Sequence, residues 1–164
     1  MGKVSCELDP VAAAGRDEAL RSGAMPPPPP APQLTGPLVG SGTLAGTLAV
    51  QPRLVGAGAQ LWGDDVLGSG FQLVMREGEP GSCLNQADRA WFEQIGTIAT
   101  LDDGVACHIE DATDEYTRWL DGAGAQAVVV RPDQYVFDTA ASVADVPRLV
   151  GRLRDSLRMD QARC

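Results

Sequence analysis

The chain has 164 residues, enough for one domain with extensions and a real core. Its 13 basic and 22 acidic residues leave a net charge of −9, which repels phosphate backbones and argues against a nucleic-acid partner. No apolar run approaches the roughly 18 residues that span a bilayer, and Met1-Gly2-Lys3-Val4-Ser5-Cys6 shows neither an apolar segment nor a cleavage site. The expectation is a soluble, cytoplasmic chain with no membrane partner.

Lys3 to Leu8 reads as a short strand or extended arm. Asp9-Pro10 follows as an N-cap with proline at the first helical position, and Val11 to Arg21 forms an alanine-rich helix closed by Gly23. That helix carries too little apolar surface to stand alone. Met25-Pro26-Pro27-Pro28-Pro29-Pro30-Ala31-Pro32 adopts a polyproline rod rising about 3.1 Å per residue. Such a rod can dock in aromatic-lined grooves, but between a helical stub and a folded domain it reads as a stiff spacer.

Residues 34–70 are rich in glycine. Gly40-Ser41-Gly42-Thr43-Leu44-Ala45 matches a loose G-x-G-x-x-A nucleotide pattern, yet it follows Pro37 instead of a buried strand, and Pro52 forbids a long helix after it. Pyrophosphate binding needs a strand, a tight turn and a helix N-terminus, so this match and Gly56-Ala57-Gly58 are set aside. Extended structure is expected from Leu48 to Val55, then a loop carrying Trp62 and Asp64-Asp65.

From Phe71 the pattern is regular. Phe71 to Arg76 is a strand, and Asn85 to Gln94 a helix with Ala87, Ala90, Trp91 and Ile95 on one side. Thr97 to Leu101 is the next strand, turned by Asp102-Asp103-Gly104. Thr113 to Leu120 is a helix with Tyr116, Trp119 and Leu120 inward. Gln126 to Val130 is an apolar run of the kind buried on both faces. The turn chemistry of Pro132-Asp133 sends it straight back as Tyr135 to Phe137. Asp145 caps a last helix whose stripe is Val146, Leu149, Val150, Leu153 and Leu157, while Arg148, Arg152, Arg154 and Arg158 make a solvated face. The order β-α-β-α-β-β-α, with parallel crossovers and a final antiparallel hairpin, is a thioredoxin-like α/β layout: a mixed sheet with helices on both faces.

The chemistry-bearing residues are few. Cysteines at 6, 83, 107 and 164 form no C-x-x-C pair, zinc ribbon or disulfide framework. His108, the one histidine, has Glu110 and Asp111 nearby, but a lone imidazole is more often a surface residue than a ligand. Cys83 near a helix start has Gln86, not a resolving cysteine, three positions on. No catalytic, cofactor-binding or metal-ligating residue is assigned.

Four passages carry a resemblance: Gly2-Lys3-Val4 with Asp9-Pro10 and Arg16-Asp17; the proline spacer before Leu34-Thr35-Gly36; Asp64-Asp65-Val66-Leu67-Gly68-Ser69-Gly70-Phe71; and Ala127 to Val136. In that order they resemble the C-terminal region of class A FAD-dependent aromatic hydroxylases, similar to 3-(3-hydroxyphenyl)propionate hydroxylase and the polyketide hydroxylases. The resemblance implies a remnant of a preceding FAD- and substrate-binding portion at residues 1–24, a linker at 25–37 and a thioredoxin-like domain at 38–160. It also implies a non-catalytic accessory domain, a fragment whose parent hydroxylates a phenolic ring with FAD, NAD(P)H and O2. Its partner would be that larger portion, in cis or as a split chain, and a homodimer is a further partner open to it. Two alternatives stand beside it: a free-standing thioredoxin-fold redox protein using Cys83, and an adaptor docking through its prolines.

Overall fold

A computed structural model describes residues 8–23, 32–56, 58–101 and 108–161, and the chain divides into two compact units, residues 1–31 and 32–164. The arm expected at Lys3, most of the proline run, the turn at Asp102-Asp103-Gly104, and Cys6, Cys107 and Cys164 lie outside the described residues. Among the described residues no helix is long and apolar enough to cross a membrane.

In the first unit, helix α1 (Pro10–Arg21) starts as its sequence dictates. The Asp9 carboxylate accepts the Val11 N–H at 2.9 Å, and proline holds the first helical position. None of its residues is buried, and Val11 and Leu20 are exposed.

The second unit opens with β1 (Arg53–Gly56), β2 (Ala59–Trp62) and a short helix, α2 (Gly63–Leu67). Then come β3 (Phe71–Met75), the one-turn α3 (Pro80–Cys83), α4 (Gln86–Glu93) and β4 (Gly96–Thr100). β5 (Glu110–Asp111), α5 (Glu115–Ala123), β6 (Ala127–Val130), β7 (Val136–Ala140) and α6 (Val146–Gln161) complete it. The main sheet has the order β4-β3-β6-β7; β3 and β4 run parallel, and the other two pairings are antiparallel. The expected mixed α/β architecture is therefore present.

The alternation of side chains along each strand divides the core in two. Leu73, Met75, Ala127 and Val129 pack with Phe92 of α4 and with Leu149, Val150 and Leu153 of α6. Val74, Val128 and Val130 pack on the other face with Tyr116 and Leu120 of α5. Burial from both sides is why β6 is apolar at every position.

Several expectations need correcting. A second, antiparallel sheet of order β2-β1-β5 is present: β1 overlaps the end of the stretch expected to be extended, Leu48 to Val55, whereas β2 takes residues read as loop. Trp62 ends a strand of it, stacked under Arg53 at 3.4 Å from ring centroid to guanidinium carbon, while Asp64 and Asp65 lie in the first turn of α2. On α4 the buried residue is Phe92, with Asp88, Trp91 and Ile95 half-buried; Ala87 and Ala90 are exposed. The inward face is thus turned from the expected one, because the aromatic bulk at 91–92 decides it. α5 starts at Glu115, two residues after the expected Thr113, and its capping carboxylate is Asp111, which accepts the Glu115 and Thr117 N–H groups at 3.2 and 2.9 Å. Gly124, at φ 62°, ends that helix in the left-handed conformation that glycine adopts without cost. α6 buries Val146, Leu149, Val150 and Leu153 as expected, with Leu157 partly buried. It continues a 3-10 turn over Val143–Asp145, however, and the Asp145 carboxylate accepts the Ser142 hydroxyl at 2.7 Å instead of capping the helix.

Candidate functional site

The final strand runs further than its sequence suggested, through Asp138, Thr139 and Ala140. An acid is a poor strand former, and Asp138 is fully buried. The hairpin before it explains how it gets there. Gln134 takes a positive φ of 64° after Pro132-Asp133, and the ladder then slips, so that Val129 faces Asp138 while Val130 faces Val136. Phe137 is the extra residue of a bulge, a device that redirects side chains. Asp138, opposite Val129, thereby looks toward α6.

The outer edge of β7 is covered by residues 34–49, an irregular strap. Gly40 N–H donates to the Phe137 carbonyl at 2.7 Å and Gly46 N–H to that of Val136 at 2.9 Å. Val136 N–H donates to Thr47 at 2.9 Å, and Ala49 N–H to Gln134 at 2.8 Å. This covering removes a pairing edge that would otherwise be open. Arg131 adds a bond from its guanidinium to the Leu38 carbonyl at 3.0 Å while forking onto Asp133.

Within the strap, Gly40-Ser41-Gly42 wraps the Asp138 carboxylate. Gly42 N–H donates to Oδ1 at 2.8 Å and Ser41 N–H to Oδ2 at 3.3 Å; the N–H of Thr139 also donates to Oδ1 at 2.8 Å. From α6, Arg152 donates to Oδ2 at 2.8 Å. A Cβ at position 40 would lie 1.9 Å from Oδ2, and one at position 42 would lie 2.5 Å from Oδ1, so both glycines are required by close approach. Sequence reasoning missed Asp138 and placed Arg152 on a solvated face. The available signal was an acid inside an apolar strand, which cannot be buried without donors. Arg154 leaves that face too: it pairs with Asp88 at 2.7 Å and lies over Trp91 at 4.5 Å, joining α6 to α4. Arg148 and Arg158 are exposed as expected.

These residues do not fit the pyrophosphate of FAD. The Ser41 and Gly42 N–H groups are already bound to a carboxylate, no strand precedes them and no helix starts after them. A phosphate approaching that loop would meet the charge of Asp138.

Cys83 is the last residue of α3, not the first of a longer helix; α4 starts at its own cap, where Asn85 Oδ1 accepts the Asp88 N–H at 2.8 Å. Its thiol lies 3.7 Å from Met75 Sδ and donates toward the Pro80 carbonyl at 3.5 Å. Burial pushes the thiol pKa up, helped by the Glu79 carboxylate and opposed by backbone hydrogen bonds at Cys83 and Leu84. A thiolate nucleophile needs the opposite shift. Burial likewise raises the Tyr116 hydroxyl, with the Asp111 charge adding to it. Among the described residues no three His, Cys, Asp or Glu side chains gather as a metal site requires, and Asp111 beside His108 is occupied in capping α5.

Residues 46–156, more than half of the chain, match the family model described as the HcaD C-terminal domain. A 3-(3-hydroxy-phenyl)propionate/3-hydroxycinnamic acid hydroxylase of Burkholderia cenocepacia (strain HI2424) is 34% identical over 127 residues, covering 65% of this chain and 23% of that protein. A probable NADH-specific resorcinol 4-hydroxylase of Rhodococcus jostii (strain RHA1) is 30% identical over 96 residues, covering 55% of this chain and 18% of its own. Among solved structures, the flavin-dependent monooxygenase PieE, in complex with FAD and substrate, aligns at 21% identity with a TM-score of 0.49. That alignment covers 96% of this chain and 31% of PieE. The chain spans about a fifth of the length of the curated relatives it matches.

Proposed function

Since the chain belongs to the HcaD C-terminal domain family, we propose that it is the non-catalytic accessory domain of an FAD-dependent aromatic-ring monooxygenase, acting in the cytoplasm. The parent reaction would hydroxylate a phenolic ring with NAD(P)H and O2, and the partner would be the FAD- and substrate-binding portion, in cis or as a separate chain. The observation that carries this reading is the family match over residues 46–156, beside relatives that are aromatic hydroxylases over about a fifth of their length. Residues 1–24 then belong with that larger portion, 25–37 form the linker, and 38–160 form the accessory domain.

We read the accessory domain as thioredoxin-like. The support is its strand order β4-β3-β6-β7, with one parallel and two antiparallel pairings. Its thiol is unlike that of thioredoxin: burial pushes the Cys83 pKa up, and Gln86 stands where a resolving cysteine would be. Its contribution to the parent is accordingly one of packing and assembly.

The test is titration of the purified chain with FAD, following quenching of flavin fluorescence. The reading expects no saturable quenching up to high micromolar FAD. One-to-one saturable binding would overturn it, because the cofactor would then have a site on this chain.

A further inference from the structure

We propose that Gly40-Ser41-Gly42, together with Arg152, is a small-anion site whose ligand class is a carboxylate, and that Asp138 fills it from within to fasten the strap onto the sheet. The motif that resembles a nucleotide loop is thus a self-occupied anion cradle. Two kinds of observation carry this independently of any assignment of the parent reaction.

The first is the donor set. Backbone N–H groups of Ser41, Gly42 and Thr139 and the guanidinium of Arg152 all converge on one carboxylate. Amides and a guanidinium together are the donors proteins use to hold carboxylates and phosphates. The second is the shape. Side chains at positions 40 and 42 would strike Asp138 or Thr139, so the loop has the glycine spacing of an anion cradle because an anion is in it. An open cavity of about 410 Å³ beside it is lined by Gly40, Ser41, Asp138, Arg152, Ser156 and the acidic Asp155, among others. A small anion therefore has a route to the site once the internal carboxylate is removed.

Asp138→Ala deletes the carboxylate and leaves room for formate, which is that carboxylate carrying a hydrogen. The experiment compares thermal unfolding of the full chain and of this variant in sodium formate and in sodium chloride at equal ionic strength. The variant is expected to unfold at a lower temperature than the parent chain. Formate should raise its midpoint progressively above the chloride value, as binding to the folded state requires. The parent chain should respond equally to both salts, because its site is full. Equal responses of the variant to formate and chloride would overturn the proposal, as would a variant as stable as the parent. Should Asp138→Ala fail to fold in either salt, amide exchange decides the matter with Asp138→Asn. Protection of the Gly42 amide in the parent chain, falling at least tenfold in this variant beyond the change at β3 amides, supports the cradle. A Gly42 amide unprotected in the parent overturns it.

Discussion

Helices α1 and α6 carry similar sequence signals at their ends and differ in what they bury. Both begin beside an aspartate with a proline in the first turn, and both end near an arginine. α6 places Val146, Leu149, Val150 and Leu153 in the core, whereas α1 buries nothing. Capping and propensity decide that a segment is helical; the apolar stripe decides whether the fold depends on it. α1 is a well-signalled helix whose own sequence supplies no core, in keeping with its proposed place in a larger portion.

The largest break in this comparison should come from truncating the two helices' apolar residues. Leu153→Ala is expected to cost about 2–5 kcal/mol of unfolding free energy in denaturant. Leu20→Ala and Val11→Ala should change it by less than about 0.5 kcal/mol. Equal effects would mean that α1 is part of the cooperative unit.

Glycine-to-alanine changes sharpen the contrast by their sign. Gly42→Ala puts a methyl 2.3 Å from Thr139 Oγ1 and should destabilise by about 1–3 kcal/mol. Gly151→Ala, inside α6 with nothing within 4 Å of the new methyl, should stabilise by about 1 kcal/mol through helix propensity. Gly15→Ala, equally open in α1, should raise helicity by circular dichroism and leave the domain's unfolding midpoint unchanged. A midpoint that moved with Gly15→Ala would again tie α1 to the core.

These contrasts follow the line between what the sequence revealed and what it hid. Val128, Val129 and Val130 announced a doubly covered strand because two-sided burial leaves no place for a polar residue. The stripe of α6 was equally plain from its period. The site was not legible, since its parts are 96 and 97 residues apart and meet only across the β7 edge. Read locally, Asp138 fell just past the expected strand, Arg152 looked like a surface charge, and Gly40-Ser41-Gly42 was a nucleotide-loop match set aside for want of a strand and a helix. None of these readings reaches the site, because charge and glycine spacing take their meaning from a partner that sequence distance conceals. The small sheet was hidden similarly, because β5 contributes only two residues to it.

The caps give a smaller contrast. Asn85→Ala removes the acceptor for the Asp88 N–H in α4 and should cost about 1 kcal/mol of domain stability. Asp9→Ala removes the matching bond in α1 and should lower helicity alone.

The smallest effect belongs to Cys83, and its sign follows from burial. The folded thiol has a higher pKa than the unfolded one, so ionisation favours the unfolded chain. Its contribution to stability is fully present below the unfolded value of about 8.5 and is lost as pH rises through the folded value. Cys83→Ser should therefore flatten the decline of stability above that pH in denaturant titrations at successive pH values. Alkylation by iodoacetamide, located by peptide mass spectrometry, should be slow at Cys83 at neutral pH and speed up only in the alkaline range. Rapid stoichiometric labelling at pH 7 would restore the redox reading, because only a thiolate stabilised against its own burial could react that way.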